Sequence, residues 1–353
     1  MALGAEMSLE SITCPPKATQ EVLVNLEIND RCAFTAACGE TCYLNSVHVD
    51  HARIPSASVL AAARAFVARG DIVRHLAIPG KEPFETPELL LEIARAFHAT
   101  PEVERPASLG VISASLPGIQ QWLPKFDQAP LCWLALSVDV EGSGLRAGDP
   151  LRVLDAAVSG RTSGGTKAVA VNTTFTAETL EAVVSLATRL QDYAIDQWAV
   201  CPLMVPRGLS MHSVVSEGTL ERLVLRLGKL TDVAARVVVE TDPDSLRRLV
   251  GETRWNIINT NVWRIEVLLP NGVWLFARTP RPGYFIRMRY DGELLSRQQF
   301  ATLGVRAGRY GTFRSYSDVD DALERMRQER IASEKPDADA QQHTITRSFQ
   351  VAA

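Results

Sequence analysis

Cysteine is scarce in this chain and unevenly spread: there are six in 353 residues, and none after Cys201. The stretch beyond residue 236 therefore cannot ligate a metal cluster through thiolates. No uninterrupted apolar run approaches membrane-spanning length, and the N-terminus lacks a basic segment followed by an apolar one. No long basic run offsets a formal net charge of -4, which argues against nucleic acid or an anionic membrane as the main partner. No internal repeat and no phosphate-binding glycine loop is present. These absences point to a cytoplasmic, globular protein, and 353 residues that are 46% hydrophobic suffice for one large α/β domain and a smaller appendage.

Half of the cysteines fall in eleven residues. Cys32, Cys38 and Cys42 follow a short apolar run in a loop rich in Gly, Thr, Asn and Ala. A disulfide there gains nothing in a reducing compartment. Three thiolates are the minimum that holds three corners of an iron-sulfur cube, and with no fourth cysteine nearby one iron stays open to an outside ligand. Zinc is the alternative, and it would need Cys14, His48 or His51 to complete four ligands.

The rest of the chain alternates strands and helices. Strands are expected at residues 21–28, from Val73, at 109–113, 131–138, 167–171 and 196–203, each short and apolar as strands buried on both faces should be. Amphipathic helices are expected at 55–69, after Thr86 and at 176–190, the second of them capped by Thr86 with Pro87 at its first position. Polar residues gather where the strands end: Ser113 and Ser115, then Ser137, Asp139 and Glu141, then Asn172 and Thr174. Six such units imply a parallel, barrel-like sheet with its active site at that end. Beyond residue 236 closely spaced strands take over, with a hairpin signal at Pro270-Asn271-Gly272. Residues 317–330 read as a charged, solvated helix.

The cysteine trio followed by Val73-Arg-His-Leu-Ala-Ile-Pro-Gly80-Lys81-Glu82-Pro83 resembles the radical SAM enzymes. That family places three cysteines after the first strand, usually as C-x3-C-x2-C, and a Gly-Gly-Glu-Pro turn after the second. Here the spacing is C-x5-C-x3-C, Tyr43 follows the last cysteine, and Lys81 replaces the second glycine. The resemblance implies a partial (β/α)6 TIM-like barrel over 21–235, preceded by an extension at 1–20. A small α+β C-terminal cap over 236–333 and a polar tail at 334–353 would follow. It also implies a [4Fe-4S] cluster on Cys32, Cys38 and Cys42, with S-adenosylmethionine bound by Gly80, Lys81, Glu82, Pro83, Ser113, Ser137, Asp139 and Asn172. A 5'-deoxyadenosyl radical would then abstract hydrogen from the substrate, with flavodoxin or ferredoxin supplying the electron.

The expected substrate is a small polar metabolite (sugar, aminosugar or nucleoside) in natural product biosynthesis, and the reaction an epimerisation, dehydrogenation or lysis. A peptide substrate and a catalytically idle iron-sulfur or substrate-binding relative are the alternatives. Cys201, near the end of the sixth strand, is the candidate hydrogen-atom donor, because a thiol S-H bond is weaker than most C-H bonds; the competing view is a small buried hydrophobe.

Overall fold

A computed structural model describes residues 22–33, 53–115, 118–140, 150–162, 164–207, 210–229, 235–251, 264–269, 271–278, 283–296 and 309–334. The extension at 1–20 and the tail from 335 lie outside the described residues, as do Cys14, Cys38 and Cys42.

Six strands run parallel and in sequence order: β1 (Val22–Leu26), β2 (Val73–Ile78), β3 (Ser108–Ser113), β4 (Trp133–Ser137), β5 (Val169–Phe175) and β6 (Gln197–Pro202). The connections carry α1 (Ser56–Val67), α2 (Pro87–Ala99), α3 (Pro150–Thr162) and α4 (Leu180–Leu190). Parallel neighbours need such crossovers, and each helix buries an apolar stripe: Leu90, Ile93, Ala94 and Phe97 on α2, Val183, Leu186, Ala187 and Leu190 on α4. The largest fully buried side chain, Trp198, sits in this helix-facing layer, where its indole N–H donates to Thr173 Oγ1 at 2.9 Å.

The strands beyond residue 236 extend the same sheet at both edges. After a two-stranded ribbon of β7 (Met204–Arg207) and β8 (Ser210–Ser213) and helix α5 (Glu217–Leu227), β9 (Arg236–Thr241) pairs parallel with β6. Helix α6 (Pro243–Val250) follows; then β10 (Arg264–Leu268) and β11 (Trp274–Arg278) form the expected hairpin around Asn271 and Gly272, with β11 parallel to β9. Gly272 has φ +82°, a conformation that suits glycine at such a turn. On the far side β12 (Phe285–Met288) lies parallel to β1, followed by antiparallel β13 (Glu293–Leu295) and β14 (Arg309–Thr312). Among the described residues the result is one open twelve-stranded sheet.

The last helix, α7 (Tyr316–Glu334), corrects the reading of a solvated segment. Val319, Ala322, Leu323 and Met326 are buried, spaced as one helical face, and the helix packs against α1, β12 and β14. Its high charge density lies on the other faces.

Candidate functional site

Because the sheet is parallel, the residues after β1 to β6 and β9 emerge along one edge. There the start of the cysteine loop is fastened to the turn after β2. The Asn29 amide donates to the Glu82 carbonyl at 2.9 Å and to Thr86 Oγ1 at 3.0 Å, and Asn29 Oδ1 accepts from the Arg31 amide at 3.1 Å. Glu82 N donates to the Arg31 carbonyl at 3.0 Å, and Ala33 N to Glu85 Oε1 at 3.0 Å. Half-buried Cys32 thus lies between two residues that are both tied to the second motif.

Gly80 takes φ +139°, and a Cβ there would meet Glu27 Cγ at 3.7 Å. Lys81 is half-buried; Pro83 is buried and opens a short 3-10 turn, Pro83–Glu85. The Glu82 carboxylate, wholly buried, is occupied internally: it accepts from Phe84 N at 3.0 Å and Ala114 N at 2.6 Å, and lies 3.0 Å through both oxygens from Ser113 Oγ. A buried carboxylate needs several donors to stay ionised, and these bind the second turn to the end of β3. Ser113, expected beside the cofactor, therefore faces Glu82. Its neighbour Ser115 adopts φ +64° and donates from its hydroxyl to the Ser137 carbonyl at 2.6 Å, tying the ends of β3 and β4 together. Non-glycine residues in that region mark a conformation held by its surroundings.

Strand register assigns the remaining candidates to one face. Ser137 pairs with Asn172, and Asn172 with Ala199; one step further along, Thr174 pairs with Cys201. Paired residues share a face, and along β5 and β6 the residues of this face are half-buried while those between them are buried against the helices. The same register carries Val238 and Glu240 of β9, Trp274 and Phe276 of β11 and Glu266 of β10 onto it. Asp139, half-buried, follows two residues after β4.

Three features of this face were not anticipated. Cys201 Sγ lies 3.2 Å from Glu240 Oε2. Arg236 bonds Glu266 at 3.0 Å and stacks over Trp274, 4.4 Å from its ring centroid. At the other side, Glu27 and Arg287 form a buried ion pair between β1 and β12. Burial and then the Arg289 charge lower the Arg287 pKa to about 9, and the Glu27 carboxylate supplies the compensating charge. A polar residue immediately after a first strand, as at Asn29 or Glu27, was the available signal; Glu240 gave none without its register. Nearer the N-terminal ends of the strands, the Trp133 ring lies against Gly110, leaving only 1.7 Å for an added Cβ, and so floors the face. A cavity of about 310 Å³ between α7 and the turn before β2, lined by Arg69, Ile72, Leu323 and Met326, lies away from all of these residues.

Neither a protein-family model nor a curated protein matches the sequence. Solved structures match its fold. SuiB of Streptococcus suis bound to S-adenosylmethionine aligns with TM-score 0.55 at 15% identity over 88% of this chain and 65% of SuiB. SuiB bound to precursor peptide SuiA gives 0.54 at 15% identity, over 90% of this chain and 65% of that one. Native anSMEcpe with bound AdoMet gives 0.55 at 13% identity, over 89% and 84%. The chain thus spans about two thirds of SuiB's length, and the likeness at these identities is one of fold.

Proposed function

From a fold shared with radical SAM enzymes, we propose that this chain is itself one, with a [4Fe-4S] cluster on Cys32, Cys38 and Cys42 and S-adenosylmethionine at the C-terminal ends of the strands. The observation that carries the reading is the fastening of the cysteine loop to the Gly80-Lys81-Glu82-Pro83 turn through Asn29, Arg31 and Ala33. Two motifs separated by a helix meet at one place.

The donor set fits both groups. Three thiolates match three irons and leave the fourth open. The backbone at Gly80 and Lys81 would offer acceptors for an ammonium group, with Glu82 and Pro83 shaping the turn, while Ser137, Asp139 and Asn172 would offer polar contacts for a carboxylate and a ribose; Ser113 contributes by fixing Glu82. When bound, the two groups together supply one-electron cleavage of a carbon–sulfur bond and a 5'-deoxyadenosyl radical. The chain's own residues orient what binds, and Trp133 closes the floor behind it.

The substrate proposed is a small polar metabolite of sugar, aminosugar or nucleoside type in specialised biosynthesis, supported by the hydroxyl, amide and carboxylate groups along the open face. A second reading, a peptide substrate, is favoured by the likeness to SuiB bound to its precursor peptide. In either case Cys201 is the proposed hydrogen-atom donor: its S–H bond breaks, a C–H bond forms on the substrate radical, and a thiyl radical remains. A flavodoxin or ferredoxin is the proposed source of electrons, in the cytoplasm.

Anaerobic reconstitution with iron and sulfide, followed by reductant and S-adenosylmethionine, tests the reading. Formation of 5'-deoxyadenosine is the expected result. A full cluster without 5'-deoxyadenosine would mark an idle iron-sulfur relative instead.

A further inference from the structure

The Cys201–Glu240 contact joins two strands 39 residues apart in sequence. The thiol lies on β6 and the carboxylate on β9, the two being parallel neighbours whose register runs Ala199 to Val238 and Val200 to Val239. Both side chains are half-buried on the open face. The hydroxyl-bearing Thr174 flanks Cys201 from β5, and Phe276 flanks Glu240 from β11. Arg236 is the cation of the same face on β9, and it is engaged with Glu266 and the Trp274 ring.

Resting on the radical reading above, we propose that Glu240 is a positioning residue for Cys201: it accepts the thiol hydrogen bond, aims the sulfur along the open face, and keeps it protonated. Two chemical facts support this. A thiolate has no hydrogen atom to give, so a donor must stay protonated at working pH. A carboxylate 3.2 Å from the sulfur opposes thiolate formation, because it would place two negative charges side by side. After transfer, an electron from a low-potential one-electron carrier protein and a proton restore the thiol, and Glu240 stands where that proton must arrive.

The test begins without turnover. In the full-length protein, alkylation of Cys201 by iodoacetamide is followed against pH by peptide mass spectrometry, which separates it from the other thiols. Wild type should show a midpoint above the usual thiol value of about 8.5. E240Q keeps the shape and loses the charge, so its midpoint should fall by about one pH unit and its alkylation near neutrality rise roughly tenfold; E240D should restore most of the wild-type profile. Thermal melts confirm that each variant is folded. Identical profiles for wild type, E240Q and E240D overturn the proposal.

A second arm reads the chemistry: the reconstituted full-length protein is given S-adenosylmethionine and dithionite and assayed for 5'-deoxyadenosine. Wild type that shifts on alkylation but never yields 5'-deoxyadenosine refutes the radical reading and leaves the thiol–carboxylate coupling standing.

Discussion

Asn29 donates its side-chain amide to the backbone carbonyl of Glu82 at 2.9 Å, although 53 residues separate the two. This bond holds the loop that begins at β1 to the turn that ends β2. Asn29→Ala removes two donated bonds and one accepted bond from a residue that is 2% exposed. The cost should be about 2–3 kcal/mol, read from urea unfolding. Iron retained after anaerobic desalting should drop with it.

Replacing Cys32, Cys38 or Cys42 singly by Ala should remove most of the iron that reconstituted protein binds, and the triple variant should bind none. Iron and sulfide assays with visible absorption check this. A triple variant with a full cluster refutes the assignment.

Lys81→Gly gives the turn the second glycine of a Gly-Gly-Glu-Pro sequence and breaks no buried side-chain bond among the described residues, so affinity for S-adenosylmethionine should change little under the proposed function. Glu82→Gln replaces one carboxylate oxygen by an amide that cannot accept from Phe84, Ala114 or Ser113. It should weaken cofactor binding at least tenfold, about 1.4 kcal/mol, in equilibrium dialysis. The opposite ranking of the two variants contradicts the role given to Glu82.

Gly110→Ala drives a methyl group into the Trp133 ring, whose nearest atom lies 1.7 Å from the added Cβ. A loss of about 3 kcal/mol, at the upper end of overpacking costs, is expected. Trp133→Leu in the same chain should recover much of it in thermal melts.

Stability should also fall with acid through His98. Its Nε2 lies 2.8 Å from the Pro130 carbonyl, and Arg105 lies 3.4 Å from Nδ1, so the ring is neutral with its proton on Nε2. Burial, chiefly, and the charges of Arg105 and Lys167 lower its pKa below 6.5 against the opposing Pro130 bond. The unfolded chain therefore binds a proton that the native one does not. This contribution is complete above the unfolded pKa and is lost as pH falls toward the folded value. His98→Asn should flatten the change in urea midpoint between about pH 7.5 and about pH 5.5.

The sequence was most legible where burial is two-sided. Strands such as Val73–Ile78 and Trp133–Ser137 must be apolar throughout, so the polar residues at their ends stand out, and Ser137 and Asn172 do fall side by side. Strand direction was not legible. Residues 237–240 and 274–278 have the same apolar character whether they form a separate layer or, as here, extend the sheet parallel to β6 and to each other. In α7, nine acidic or basic side chains among nineteen residues hid Val319, Ala322, Leu323 and Met326, whose spacing alone betrays the buried face. Glu240 was invisible as Cys201's neighbour, because their meeting depends on register across 39 residues.

The ion pair of Glu27 with Arg287 spans 260 residues. Its consequence lies in the order of synthesis. The first strand and its cysteines leave the ribosome early, but the strand that flanks β1 emerges only when translation has passed residue 288. Until then the Glu27 carboxylate lacks the guanidinium that pairs with it in the finished fold. The N-terminal strand therefore cannot bury Glu27 as a paired charge before Arg287 has been made, and the sheet completes its first strand only after translation of β12.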